Sequence, residues 1–430
     1  MAELVKTAEP KARLGLGFKL PIIYAGNIDA RDNIDKLLNE DFALKIIDNI
    51  RPRMELERTE PARNAIMDTF MEHVMSHAPG YDKLMNWTSI PIMPTPAAEG
   101  RMVQTIAKLY NANVIGVGLG GATTNVYSIF EGRFVRTVSA NLGTCYSMCN
   151  VLKEAGTENI IRWLPFEIKE IELQNLLGNK MIRPTTIPQS LKELMIEHAA
   201  AREALRLGLA HHKKLARGLR GIQVVRTIGD MFEQDSGLKT YLDMMKIDIL
   251  VGTGGLLSRA PRRAQSALIL IDGFQPEGVT QLFQDSVFMM PHLGILSTIH
   301  PEIAGEIFEK DCLVRLGTCI APSGQTSRKE ESIRVTATMP DETTLTEKVA
   351  SGDIKVIPLK DKEIADVEIS ASKEFDVGGG FGRSIKVRIR GGVVGLIIDA
   401  RGRPLILPDN ENERRRKLVE WLTSINAYPR

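Results

Sequence analysis

Apolar residues fall in short blocks along this chain, and the spacing inside each block changes from place to place. Pro21-Ile-Ile-Tyr-Ala-Gly26 is an apolar run that stops at a glycine, and Ile34, Leu37, Leu38, Ala43 and Ile46 follow at near-helical spacing between about Asp29 and Ile50. That pattern predicts a buried strand leading into an amphipathic helix. A second helix is predicted from about Pro61 to His77, and Pro91, Pro94 and Pro96 break any continuation. The helical pattern returns from Ala98 to Tyr110, and Asn113 to Val117 reads as another buried strand, so the first 150 residues have α/β texture. Ile187 to about Leu219 is helical. Asp248 to Val251 is a buried strand, and an αβ set with Ala267 to Ile271 as strand and Gly278 to Met289 as helix follows. Near residue 325 the texture changes. Ser323 to Ser332 is polar, β-branched and polar residues then alternate as in Ile333-Arg-Val-Thr-Ala-Thr338, and a charged helix is predicted from about Asn410 to Leu422. The expected organisation is an α/β segment at 1–110, an α/β domain at 111–325 with a helical insertion at about 187–219, and a β-rich domain at 330–430 closed by a helix.

Composition narrows the function. Hydrophobic residues make up 43% of the 430 and charged residues 25%, which excludes disordered and fibrous classes. Lys+Arg 55 against Asp+Glu 53 gives a net charge of +2, far from the basic surface that binding to a phosphate backbone requires, so no nucleic-acid partner is expected. No window approaches the roughly 20 apolar residues of a membrane helix, and the amino terminus lacks the apolar core of a secretory signal. A cytoplasmic protein is expected. Cysteines 145, 149, 312 and 319 read as reduced thiols, because Cys145-x3-Cys149 has no second pair at zinc spacing. No metal site and no catalytic nucleophile stand out; Ser323 lacks the context of a nucleophile elbow. His211-His212-Lys213-Lys214 is read as a solvated helix face, and His292 and His300 as satisfied structural histidines.

The glycine clusters carry the chemistry. Gly116-x-Gly118-x-x-Gly121 formally matches a dinucleotide fingerprint, but that motif needs a helix after its last glycine. Here Thr123 to Phe130 is rich in β-branched and aromatic residues, and Glu131-Gly132 and Arg133 to Val138 complete a second strand, turn and third strand. A dinucleotide-binding enzyme is therefore disfavoured. A glycine turn between hairpin strands can act as a phosphate nest of backbone N–H groups with the Thr123 and Thr124 hydroxyls; spacing alone serves a plain tight turn equally well. Gly252-Thr-Gly-Gly255 follows a buried strand and opens either a ligand loop or a simple strand-to-helix turn. Gly378 to Gly382 and Gly391-Gly392 read as bulges or hairpin turns.

Five strings occur in order: Ile23-Tyr-Ala-Gly-Asn27, Leu119-Gly-Gly-Ala-Thr-Thr-Asn-Val126, Val138-Ser-Ala-Asn-Leu-Gly143, Ile249-Leu-Val-Gly-Thr-Gly-Gly255 and Met289-Met-Pro-His-Leu-Gly294. Over about residues 20–325 the chain resembles the GlmL/MutL family, accessory proteins of adenosylcobalamin-dependent glutamate mutase, unrelated to the mismatch-repair protein of similar name. Gly391 to Pro404 looks like the extension of longer members. The resemblance implies an actin/Hsp70-like (ribonuclease H-like) fold, here incomplete, with a β-rich carboxy-terminal domain. It implies that Gly120, Gly121, Thr123 and Thr124 belong to the second phosphate loop, that Gly252, Thr253, Gly254 and Gly255 form the adenosine-side loop, and that ATP or ADP is their ligand. Two departures stand out. The family pattern Asp-x-Gly-Gly-Ala-Thr-Thr-Asp carries Gly118 and Asn125 here in place of its aspartates, and the Asp-x-Gly-Ser/Thr hairpin of the first phosphate loop is absent. Because phosphoryl transfer depends on metal and charge positioning, the expectation is a non-catalytic accessory or assembly subunit working in a protein complex. The alternative is an ATP-dependent reactivating chaperone of a cobalamin-dependent mutase, its site completed by a homologous chain that carries the missing segment.

Overall fold

The computed structural model describes residues 4–5, 19–53, 56–90, 92–217, 240–325 and 330–429. Two compact units emerge: Met1–Ile92 with Gly218–Lys239, and Met93–Arg217 with Thr240–Arg430.

In the first unit, β1 (Pro21–Tyr24) is followed by α1 (Arg31–Leu38), β2 (Ala43–Ile46), α2 (Glu60–His73) and α3 (Tyr81–Met85). β1 and β2 pair in parallel, with Pro21 opposite Ala43 and Tyr24 opposite Ile46. The helix expected to reach Ile50 therefore stops at Leu38. Ala43 and Ile46 suit either a helical spacing of three or a strand, and pairing with β1 decides it.

The second unit begins with α4 (Thr95–Tyr110), then β3 (Val114–Leu119), β4 (Thr124–Phe130) and β5 (Arg133–Ser139). Helices α5 (Met148–Ala155), α6 (Thr157–Ile161), α7 (Glu170–Ile182) and α8 (Leu191–Leu215) follow. Next come β6 (Ile249–Thr253), α9 (Gly255–Ser258), α10 (Arg263–Phe274), β7 (Gly278–Asp285), α11 (Met290–Leu296), α12 (Pro301–Ile307) and β8 (Leu313–Ala321). The carboxy-terminal part holds β9 (Glu331–Thr338), β10 (Thr344–Ala350), β11 (Ile354–Ile357), β12 (Ile364–Ala371), β13 (Ser384–Arg390), β14 (Gly395–Asp399) and α13 (Glu411–Ser424).

One eight-stranded sheet organises this unit, in the order β11-β14-β8-β7-β6-β3-β4-β5. β3, β6 and β7 run parallel, while β4 is antiparallel to both β3 and β5. Read along the chain, β3 to β7 give the order 3-2-1-4-5 with the second strand reversed, which is the ribonuclease H-like arrangement. Both faces are covered, so the central strands are apolar throughout. Val114, Val251 and Phe283 pack with Met102, Val103 and Ile106 of α4 and with Met290 and Leu293 of α11. Ile115, Val117 and Val126 pack on the other face with Ala200 and Ala204 of α8 and Ile269 of α10. A four-stranded sheet, β10-β9-β12-β13, closes a third cluster against Ile320, Ile357, Leu396 and Ile398 of the large sheet.

Two expected elements are exchanged. Ala267 to Ile271 lies inside helix α10, and Gly278 to Asp285 of the expected helix is strand β7. α10 is buried on every side from Ala264 to Phe274, so no polar face marks its 3.6-residue period. The expected solvated face at 211–214 holds only in part: His211 and Lys214 are exposed, but His212 is buried. α8 lies across the sheet, and fully buried His212 meets the Ser128 hydroxyl at 2.8 Å and the Thr137 hydroxyl at 2.7 Å, while His211 meets Ser139 at 3.1 Å. His292 and His300, by contrast, are exposed.

Five buried charges join α8, α10 and the end of β14. Arg202 Nε donates to Asp272 at 2.7 Å; Arg401 donates to Asp272 at 2.8 Å and to Asp399 at 2.7 Å; Arg403 donates to Asp399 at 2.7 Å. Burial alone would raise the Asp399 carboxyl, but Arg401 and Arg403 outweigh it and hold it well below the usual carboxylate range. Removing one partner strands a buried charge, so Asp399→Ala is expected to lower the unfolding free energy by about 3–5 kcal/mol in urea titrations.

Burial pushes His198 down to about 3 and His212 down to about 4, so both imidazoles are neutral in the fold. An unfolded histidine titrates near 6.5. Their contribution is therefore present above about pH 6.5 and is lost as the pH falls toward 4. Unfolding free energy measured between pH 7 and pH 4 should decline, and His212→Gln should flatten part of that decline.

Candidate functional site

The two glycine loops open on the same cavity. β3 ends at Leu119 and the chain turns through Gly120 to Thr123 into β4, while β6 ends at Thr253 and turns through Gly254 into α9. Gly254 has φ +107°, and a Cβ there would run into the Leu119 carbonyl. Glycine is required because one loop rests directly on the strand that carries the other. A cavity of about 1070 Å³ is lined by Gly120, Gly121, Gly254 and Gly255 together with segments around Cys145 and Lys180.

Within the hairpin turn, the Gly120 N–H donates to the Thr123 carbonyl at 2.9 Å. The Gly120 and Gly121 carbonyls accept from Thr144 and Cys145 N–H at 3.0 and 2.9 Å, and Ser147 Oγ donates to the Ala122 carbonyl at 2.8 Å. These bonds hold the turn in one shape. Among the described residues, the N–H groups of Gly121, Ala122 and Thr123 donate to no backbone acceptor in a turn, loop or cap. These three N–H groups stay uncommitted on a turn that is otherwise fixed.

The eight residues singled out in the sequence take different places. Gly120, Gly121, Gly254 and Gly255 line the cavity. Thr123 remains on the half-buried turn. The Thr124 hydroxyl bonds inward to the Leu142 carbonyl, and the Thr253 hydroxyl bonds to Asp285 at 2.9 Å, so both are structural donors. Gly252 lies under Leu257 and Leu270. Thr144, Cys145, Lys180, Glu197 and Arg259 also line the cavity, and no local motif marks them. Lys180 and Glu197 form a 2.9 Å ion pair on its wall. Burial raises the Glu197 carboxyl and the Cys145 thiol above their ordinary values, with Lys180 opposing both shifts. Arg259 is exposed at the rim.

A row of polar side chains lies beneath the two loops on the α4 face of the sheet. Asn125 pairs with Gly118, Gly118 with Thr253, and Thr253 touches Asp285. Glu99 of α4 reaches into this row: the Tyr127 hydroxyl donates to it at 2.6 Å and the Asn125 amide at 3.4 Å. Among the described residues, no group of three or more His, Cys, Asp and Glu side chains is placed to hold a metal ion. No helix among the described residues is long and apolar enough to cross a membrane.

A sheet of ribonuclease H-like order, with two glycine loops opening on one cavity, places the molecule in the actin/Hsp70-like class of α/β folds. The chain belongs to the MutL family: the family described as MutL protein matches residues 1–312. Protein MutL of Clostridium tetanomorphum is 23% identical over 324 residues, covering 68% of this chain and 66% of that protein. The match thus spans just under two thirds of the relative's length. Among solved structures, component A of (R)-2-hydroxyglutaryl-CoA dehydratase from Acidaminococcus fermentans is similar over 53% of this chain and 74% of its own, with 11% identity and a TM-score of 0.26. Acetate kinase from Entamoeba histolytica is similar over 64% and 72%, with 13% identity and a TM-score of 0.18.

Gly254→Ala adds a Cβ at positive φ against the Leu119 backbone. Strain of this kind costs about 1–3 kcal/mol, and a lowered urea midpoint with an unchanged slope is expected.

Proposed function

We propose that this chain is an accessory subunit of an adenosylcobalamin-dependent mutase of the glutamate mutase type, and that its cavity takes a nucleotide by the phosphates without completing an ATPase centre by itself. The carrying observation is the convergence of Gly120-Gly121 and Gly254-Gly255 on one cavity, with three unused N–H groups on the turn. Such donors bind phosphate oxygens without a carboxylate or metal. Hydrolysis asks for more: a divalent ion bridging the phosphates and a group orienting water. Strand position 118 is glycine and position 125 is an amide, so neither loop strand offers a carboxylate to a hydrated magnesium ion.

Work in a complex fits the surface of α2 and its cap. Ile66, Phe70 and Val74 recur at helical spacing of four and are exposed. An apolar stripe of this kind is a common feature of protein interfaces. The second reading, an ATP-dependent reactivator completed by a homologous chain, draws on the buried carboxyls Glu99 and Asp285 beneath the loops.

Calorimetric titration with ATP, with and without Mg²⁺, separates the two. Weak binding that is insensitive to Mg²⁺, together with no ATP turnover by the isolated chain, is expected. Tight Mg²⁺-dependent binding with turnover would favour the reactivator.

A further inference from the structure

Glu99 is a buried carboxyl whose place the fold does not otherwise explain. It is 2% exposed on α4, a helix whose other buried positions include Met102, Val103 and Ile106. Its hydrogen-bond donors, Tyr127 and Asn125, are both neutral and both lie on β4. A buried carboxyl without a cationic partner costs several kcal/mol if ionised, so an apolar residue would pack there more favourably. The neighbouring strand accommodates it in a specific way. Any side chain at position 118 would run into the Glu99 carboxyl, so Gly118 leaves the space that Glu99 fills. The carboxyl thus stands in the row Asn125, Gly118, Thr253 and Asp285, two residues from the start of the phosphate turn on one strand and one residue from Gly254 on the next. In the same row, the Asn125 Oδ1 acceptor is buried without a partner.

We propose that Glu99 is the positioning residue of this hairpin: a carboxyl supplied from α4 in place of a side chain at 118, which holds the β4 arm through Tyr127 and Asn125 and makes anion binding at the Gly121–Thr123 turn depend on the charge it carries. The ligand side of this inference rests on the nucleotide site proposed above; the Glu99 and Gly118 pairing stands without it.

The electrostatic surroundings give the direction. Burial raises the Glu99 carboxyl above the ordinary carboxylate range and Asp285 of β7 adds to the rise, while hydrogen bonds from Tyr127 and Asn125 oppose it. Burial and Glu99 together push the Tyr127 hydroxyl well above its ordinary value, partly countered by Arg136 of β5. α11 and α12, which also pack on α4, carry His292, Glu302 and Glu306, all exposed. A neutral Glu99 leaves the turn open to an anion. Ionised, it puts negative charge against Gly118, two residues before the turn on the same strand. Anion affinity should therefore fall as the pH rises through the raised Glu99 value, and the stability gained from the folded-state proton is lost over the same interval.

The test uses the full chain with Glu99→Gln, Glu99→Ala, Gly118→Ala and the Glu99→Ala/Gly118→Ala double variant. Without ligand, infrared spectroscopy should show the carbonyl stretch of a protonated carboxyl that disappears with rising pH and is missing in E99Q. Gly118→Ala should lower the melting temperature in the wild-type background and have little effect beside Glu99→Ala, because the two sites share one space. With inorganic phosphate and with ATP as probes, calorimetric affinity should fall with pH in the wild type and stay level in E99Q. At low pH, where wild-type Glu99 is neutral, Glu99→Ala should bind about tenfold more weakly, the order seen when outer groups that orient metal ligands are removed. An additive mutant cycle, or an E99Q pH profile parallel to the wild type, would overturn the inference. If E99A does not fold, the infrared comparison with E99Q decides alone. If the wild type binds neither phosphate nor ATP at any pH, the nucleotide reading fails, while the infrared and stability arms still judge Glu99.

Discussion

A buried network of five charges fixes the second unit, and much of the rest follows from it. Asp272 on α10 is gripped by Arg202 from α8 and Arg401 from beyond β14, and Asp399 by Arg401 and Arg403. Each ion taken from water carries a desolvation penalty that only close opposite charge and saturated hydrogen bonding can offset. The arrangement meets that condition: Arg403 also donates to the Pro276 carbonyl at 2.9 Å, and the Arg401 guanidinium lies over the Trp421 ring with 5.0 Å to its centroid. With so many partners fixed at once, α8, α10, β14 and α13 have a single mutual placement. Partial satisfaction would be worse than an apolar core.

That placement positions the cavity. α8 forms its wall through Leu194, Glu197 and His198, and α10 enters it through Gln265. β6 and β7, which α10 connects, are held in parallel, so Gly254 meets the end of β3. The Gly120–Thr123 turn is then shaped by a third segment, Thr144 to Ser147, whose N–H groups bind its carbonyls. Ligands in open α/β sheets sit at the carboxyl ends of parallel strands, and the glycine loops leave this sheet at those ends.

The carboxy-terminal part has a double role in the architecture. β14 runs parallel to β8 and extends the large sheet, and β11 closes its edge, while β9, β10, β12 and β13 form the second layer over it. The Gly391-Gly392 pair is where the chain passes from one layer to the other, with Gly392 packed against the Arg315 to Gly317 backbone. Residues beyond the span that matches the family thus contribute strands to the same sheet as those within it.

Much was legible in the sequence because it depends on local physics. The hairpin after Gly121 was visible from β-branched residues flanking Glu131-Gly132, and the helix ending near Tyr110 from its period. The glycine loops could be located for the same reason: a chain that turns sharply at the end of a buried strand needs glycine. Five motifs in order were enough to point to the family. Other features required contacts between distant residues. α10 and β7 were exchanged because a helix buried all round has no amphipathic period, so burial hides the signal that would identify it. His212 read as solvated because its partners Ser128 and Thr137 are more than seventy positions away in sequence. No motif in the sequence singles out Glu99, and Gly118 read as a lost aspartate. That one fills the space left by the other is a property of the α4 and β3 packing, and only the tertiary structure could decide it, because no local pattern specifies which side chain will occupy a gap made elsewhere.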